Sequence, residues 1–173
     1  TGVANRRALD QEIGHLADMA ARGGPPFALL HLDLDLFKAV NDSLGHAAGD
    51  HVLIQVVERL RAELRGQDMV ARVGGDEFVI LLRGVTAPAA LAALSDRLIA
   101  RLEAPMTFQG HDCRISASIG VTSSDRYPRP NAPQMLSDAD AALYAAKRRG
   151  RGGWVVHRPE DVDPTSRRDW TSP

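Results

Sequence analysis

Residues 69–82 read Met69-Val70-Ala71-Arg72-Val73-Gly74-Gly75-Asp76-Glu77-Phe78-Val79-Ile80-Leu81-Leu82. Two runs of apolar and β-branched residues, Met69 to Val73 and Phe78 to Leu82, flank Gly74-Gly75-Asp76-Glu77. A glycine-rich break between two such runs is hairpin punctuation. Upstream, Phe27-Ala28-Leu29-Leu30-His31-Leu32-Asp33 lies between the breakers Gly23-Gly24-Pro25-Pro26 and a second acidic pair, Asp33 and Asp35. Its length and its lack of alternation predict a buried strand. Laid beside the hairpin, that strand brings Asp33 and Asp35 towards Asp76 and Glu77. Taken singly, each acidic pair also reads as solvated turn residues.

Working outward, five segments read as helices, four of them from apolar positions that recur at helical spacing. After Asn5, an N-cap residue type, Leu9, Ile13, Leu16 and Ala20 share a face. A short helix from Phe37 to Leu44 is closed by Gly45, and a longer one is expected from about Asp50 to Arg65. Pro88 opens a helix carrying Leu91, Leu94, Leu98 and Leu102, and the last helix runs from about Pro133 to Arg149. A second hairpin is expected between Met106–Phe108 and Arg114–Val121, turning near Gly110. Ser123–Pro133 reads as a loop, and Trp154-Val155-Val156 as a final strand. The order predicts a mixed sheet packed by helices within one α/β domain over residues 1–157. The polar, proline-broken residues 158–173 are expected to be a disordered tail.

The 173 residues match one domain, and 44% hydrophobic with 25% charged residues exclude wholesale disorder. A formal charge of −1 and the lack of a basic stripe argue against nucleic acid as a partner. No apolar run reaches the ~20 residues of a membrane-spanning helix, so no membrane contact is expected from this segment. The first residues lack a secretory signal, and the single Cys113 excludes an internal disulfide, which suits a cytoplasmic setting. The absence of an initial methionine suggests a piece of a longer protein. His15, His31, His51, His111 and His157 have no metal-ligand spacing and read as structural or surface residues. Cys113 is expected to pack in or beside a strand, and Trp154 to belong to the core.

Hard carboxylate oxygens around an open position suit Mg²⁺ that also holds phosphates. Lys38 presents a point charge to a phosphate, and N–H groups at a helix start can cradle one. Asn41 and Asp50 are residue types that read purine edges; a carboxylate accepts two N–H donors of guanine, a pair adenine lacks. Asp50 reads equally well as the N-cap of the long helix.

These residues together resemble the GGDEF-domain diguanylate cyclases. The resemblance rests on Asp33-Leu34-Asp35-Leu36-Phe37-Lys38, Asn41-Asp42, Gly45-His46 and Gly49-Asp50. Arg72-Val73-Gly74-Gly75-Asp76-Glu77-Phe78 carries the name-giving motif. Asn5-Arg6-Arg7, Ser118-Ile119-Gly120-Val121, the segment Asp138 to Lys147, and Gly150-Arg151 follow in the family's order. Two departures are a missing Asp-x-Leu lead before Thr1 and Gly152 in place of the usual asparagine.

The resemblance implies a palm-like fold with a mostly antiparallel sheet, and condensation of two GTP into cyclic di-GMP and pyrophosphate. It implies Mg²⁺ or Mn²⁺ held by Asp33, the Leu34 carbonyl, Asp76 and Glu77. By the same analogy Phe37 and Lys38 lie by the phosphates, Asn41 and Asp50 read guanine, and Lys147 and Arg151 reach the terminal phosphates. One GTP per domain requires two domains to face each other, a homodimer at least transiently. Arg65-Gly66-Gln67-Asp68 matches the family's inhibitory product site for cyclic di-GMP, with Arg97 a further arginine; a helix end and a turn aspartate give the same letters. A GTP or cyclic di-GMP receptor without catalysis is the rival reading, against which Asp76 and Glu77 stand intact. A polymerase-like nucleotidyl transferase is disfavoured by the missing basic stripe.

Overall fold

The computed structural model describes residues 2–157, so the expected tail at 158–173 lies outside the described residues. In chain order the elements are α1 (Arg6–Ala21), β1 (Phe27–Asp35), α2 (Phe37–Leu44), α3 (His46–Glu63), β2 (Met69–Arg72), β3 (Glu77–Arg83) and α4 (Pro88–Glu103). Then come β4 (Met106–Phe108), β5 (His111–Cys113), β6 (Ser116–Ser123), a 3₁₀ turn at Ser124–Arg126, α5 (Ala132–Arg148) and β7 (Trp154–Val156).

Five strands form one sheet in the order β2-β3-β1-β6-β7, antiparallel except for the β6–β7 pair. All nine residues of the central strand β1 are buried. With helices on both faces it has no solvent side, which is why its sequence runs apolar without alternation. Ala28, Leu30, Leu32 and Leu34 face the core under α3 and α4, whereas Phe27 and Leu29 face α1 and α5. Each large side chain so buried contributes about 1.5–3 kcal/mol. Period-two geometry then puts His31, Asp33 and Asp35 on the α5 side.

Two helix starts are capped by asparagine: the Asn5 side chain, as expected, accepts the N–H group of Ala8, and the Asn131 side chain accepts that of Gln134. At the other end of α4, Arg59 of α3 donates to the carbonyls of Arg101, Ala104 and Pro105 at 2.7–3.0 Å. One guanidinium thus satisfies carbonyls that the helix cannot.

Two expectations are corrected. The long helix begins at His46, not near Asp50, with Gly45 at φ 86 as the joint to α2. Asp50 therefore lies in the second turn and caps nothing. The second hairpin is also smaller: β4 pairs with β5, His111–Cys113, which precedes the expected arm, and Arg114–Val121 instead enters the main sheet as β6 from Ser116 onward. Cys113 and Ile115 are buried on either side of exposed Arg114, and the two strands are separated by their partners, β4 for β5 and β1 for β6. Trp154 is half-buried against the core, its Nε1–H donating to Asp96 Oδ1 at 2.7 Å. Among the described residues no helix is long and apolar enough to cross a membrane.

Candidate active site

The chemistry-bearing residues collect at one end of the sheet. Antiparallel register sets Asp33 opposite Glu77 on β3 and opposite Ser118 on β6. The Leu34 N–H donates to the Asp76 carbonyl at 3.1 Å, so the hairpin turn is tied to the end of β1. Arg72 braces the same turn: its guanidinium donates to the carbonyls of Gly74 and Gly75 at 2.8–3.2 Å. That brace was not read from the sequence. An arginine two residues before Gly-Gly was the available signal.

Asp33 is buried, and Lys147 Nζ, from the last turn of α5, stands 2.9 Å from its Oδ2. Burial raises the Asp33 carboxyl above the ordinary aspartate range; Lys147 pulls it down, and Asp76 and Glu77 add to the rise. An excess of negative charge around one ammonium is an environment that a divalent cation relieves. Carboxylates with a backbone carbonyl also form the hard oxygen set that Mg²⁺ or Mn²⁺ prefers. The residues fit such an ion, although no group of three or more acids, histidines or cysteines is gathered as a metal site among the described residues.

Asp35 is not arranged like Asp33. Its Oδ2 accepts the Ser118 hydroxyl at 2.8 Å and the Gly152 N–H at 3.0 Å, and Arg151 Nε lies 3.7 Å from its Oδ1. Gly152 has φ 59. That left-handed conformation is one that asparagine tolerates best among the other residues, which accounts physically for the exchange noted in the sequence.

On the other flank, α2 starts at Phe37 behind Leu36, which is left-handed at φ 69 and gives no side-chain cap. The N–H groups of the first turn are thereby left for an anion. Phe37 is buried in the core and Lys38 is exposed beside it. α2 and α3 approach closely at Asn41: a Cβ on Gly49, the residue before Asp50, would fall 1.9 Å from Asn41 Oδ1. Asp50, next in the chain, is exposed.

Arg65 and Asp68 lie apart from these groups, along a cavity of about 550 Å³ that Arg61 and Arg83 also line. Asp68 is already engaged, accepting the N–H groups of Arg65 at 2.9 Å and Arg83 at 3.2 Å. Arg97 does not line this cavity. It pairs from α4 with Glu63, whose carboxyl is held below the usual range by Arg101 and then by Arg97.

The chain and its fold are similar to known proteins. Residues 1–153 match the family described as diguanylate cyclase, GGDEF domain. The chain belongs to the GGDEF family. It is 44% identical over 156 residues, 89% of the chain, to the bifunctional diguanylate cyclase/cyclic di-GMP phosphodiesterase MucR of Pseudomonas aeruginosa. It is 38% identical over 153 residues, 88% of the chain, to the diguanylate cyclase TpbB of that organism. The chain spans 22% and 35% of these relatives' lengths. Among solved structures, the GGDEF domain of TpbB superimposes with TM-score 0.86 at 36% identity, covering 93% of this chain and 94% of that one. The GGDEF domain of DgcB from Caulobacter crescentus, in complex with c-di-GMP, gives 0.83 at 31% identity, covering 90% and 92%. The palm-like, mostly antiparallel fold expected from the GGDEF motifs is therefore present.

Proposed function

We propose that this GGDEF domain is a diguanylate cyclase, condensing two GTP into cyclic di-GMP with release of two pyrophosphates. The observation that carries the reading is the meeting of Asp33, Glu77 and Lys147 at the sheet end, next to an uncapped helix start. Asn41 and Asp50 read guanine, the carboxylate accepting the two N–H donors of its Watson–Crick edge. The first-turn N–H groups of α2, with Lys38, take up phosphate charge, and Lys147 and Arg151 meet the terminal phosphates from the end of α5.

Asp33, Asp76, Glu77 and the Leu34 carbonyl would hold Mg²⁺ or Mn²⁺. A bound divalent cation supplies charge neutralisation at the phosphates and lowers the pKa of the attacking 3′-hydroxyl. Lys147 serves the free protein as well, offsetting the Asp33 charge. Each domain carries one such site, so two domains face each other with two-fold symmetry, each 3′-hydroxyl directed at the other's α-phosphate. The product is taken up at Arg65 and Asp68, with Arg97 as a separate arginine on α4.

The test is incubation with GTP and Mg²⁺ and chromatographic identification of products. Cyclic di-GMP is expected, with velocity rising faster than linearly with protein at low concentration. A dimeric sample that binds GTP and forms no product would instead assign a receptor role.

A further inference from the structure

The second aspartate of Asp33-Leu34-Asp35 is left without a role by the chemistry above. Asp35 is 5% exposed, more deeply buried than Asp33 at 8%. Its two oxygens are used differently. Oδ2 is held by the Ser118 O–H at 2.8 Å and the Gly152 N–H at 3.0 Å. Oδ1 is buried with no hydrogen-bond partner, and Arg151 Nε stands 3.7 Å from it.

The turn that Asp35 grips is an unfavourable one. Gly150, Arg151 and Gly152 have φ 116, 64 and 59 in succession. Glycine takes such angles freely; an arginine does so only when its surroundings hold it there. The other ties on the turn are Gly150 N–H to Lys147 O and Arg151 N–H to Ala146 O, both long at 3.3 Å. After it, Ile119 N–H donates to Gly153 O at 2.9 Å. Asp35 supplies the short bond in the middle. Its orphaned oxygen meanwhile draws the Arg151 guanidinium from one side, although that side chain is 62% exposed.

We propose that Asp35 is a positioning residue for triphosphate binding. It anchors Gly152 through its backbone N–H and orients Arg151 through its free oxygen, and it holds no metal. The proposal rests on the nucleotide reading above. Asp33–Lys147 and Asp35–Arg151 then form two parallel acid–base pairs, two residues apart on one face of β1, that fix the end of α5 and the following turn. The first stands at the metal-holding acids. The second aims an arginine at the outer phosphates.

The experiment is calorimetric titration of a non-hydrolysable GTP analogue with Mg²⁺, and separately of GMP, into the parent, Asp35→Asn, Arg151→Ala and the double variant. GMP lacks the phosphates that Arg151 reaches. Asp35→Asn sets an amide beside the guanidinium where a charge stood, and is expected to weaken analogue binding about tenfold. GMP binding should stay within about twofold of the parent. Arg151→Ala should do the same, and the double variant should be no worse than either single one, because both remove one unit. The Mg²⁺ concentration for half-maximal analogue binding should not move. Equal loss of GMP affinity, additive losses in the double variant, or a raised Mg²⁺ requirement would each overturn the proposal, the last by making Asp35 a metal ligand. Should Asp35→Asn fail to fold, Ser118→Ala removes one anchor of the carboxylate; it supports the proposal if analogue affinity alone falls and overturns it if neither affinity changes. A parent that binds neither nucleotide would remove the nucleotide reading and this role with it.

Discussion

Leu36 is left-handed at φ 69 and ψ 3, and 60% of it is exposed. A leucine there costs about 1–2 kcal/mol relative to a residue that accepts that region, and gains little from burial. Leu36→Asn is therefore expected to stabilise the fold by about 1 kcal/mol, a rise of roughly 2–4 °C in Tm. Thermal unfolding checks it; an unchanged or lower Tm would mean that the leucine side chain holds the turn. Asp50 gives the second prediction at this scale. Asp50→Ala should weaken GTP binding by about 1–3 kcal/mol and narrow the preference over ATP, since it removes the acceptor for guanine's donors. Competition titration with both nucleotides measures it, and a folded variant with unchanged selectivity would remove Asp50 from the base site. The residue letters alone left Asp50 open between a cap and a base reader. The start of α3 at His46 removed the cap.

Between elements, β6 and α5 approach each other closely, backbone to backbone. A Cβ on Gly120 would lie 2.0 Å from the Ala139 carbonyl oxygen and 2.3 Å from the Leu143 nitrogen. Both obstacles are backbone, so no side chain can yield. Gly120→Ala should force α5 off the sheet, costing about 1–3 kcal/mol or more. Because α5 carries Lys147 to Asp33, activity should fall more steeply than stability. Denaturant titration beside product formation tests this; a variant of parental stability would show that α5 shifts freely. Helix periodicity and the hairpin break were legible in the sequence, because both depend on local spacing. The destination of Arg114–Val121 was not. It was expected to pair with Met106–Phe108, but that partner is taken by His111–Cys113, and the run joins β1 in the main sheet as β6, a choice that only the separate partners decide.

At the scale of the whole molecule, Arg65 and Asp68 sit away from the acids, beside the cavity before β2. Bound cyclic di-GMP there would hold two protomers in a non-productive orientation without touching Asp33 or Glu77. Inhibition by product should be non-competitive with GTP. Arg65→Ala should relieve it, at a similar initial rate, by removing a planar fork for phosphate or guanine. Product-inhibition kinetics on both proteins decide the matter; equal inhibition would leave Arg65–Asp68 as a turn held by the Asp68 carboxylate. The sequence by itself determined the residue types of the site, their order and most element boundaries, since these follow from short-range spacing and capping chemistry. Only the tertiary structure decided what surrounds each acid. Asp33 and Asp35 are equivalent in the chain, two residues apart on one strand face. Their neighbours, 77 and 147 for the first and 118, 151 and 152 for the second, are brought to them by strand register and by the packing of α5, which no local pattern encodes.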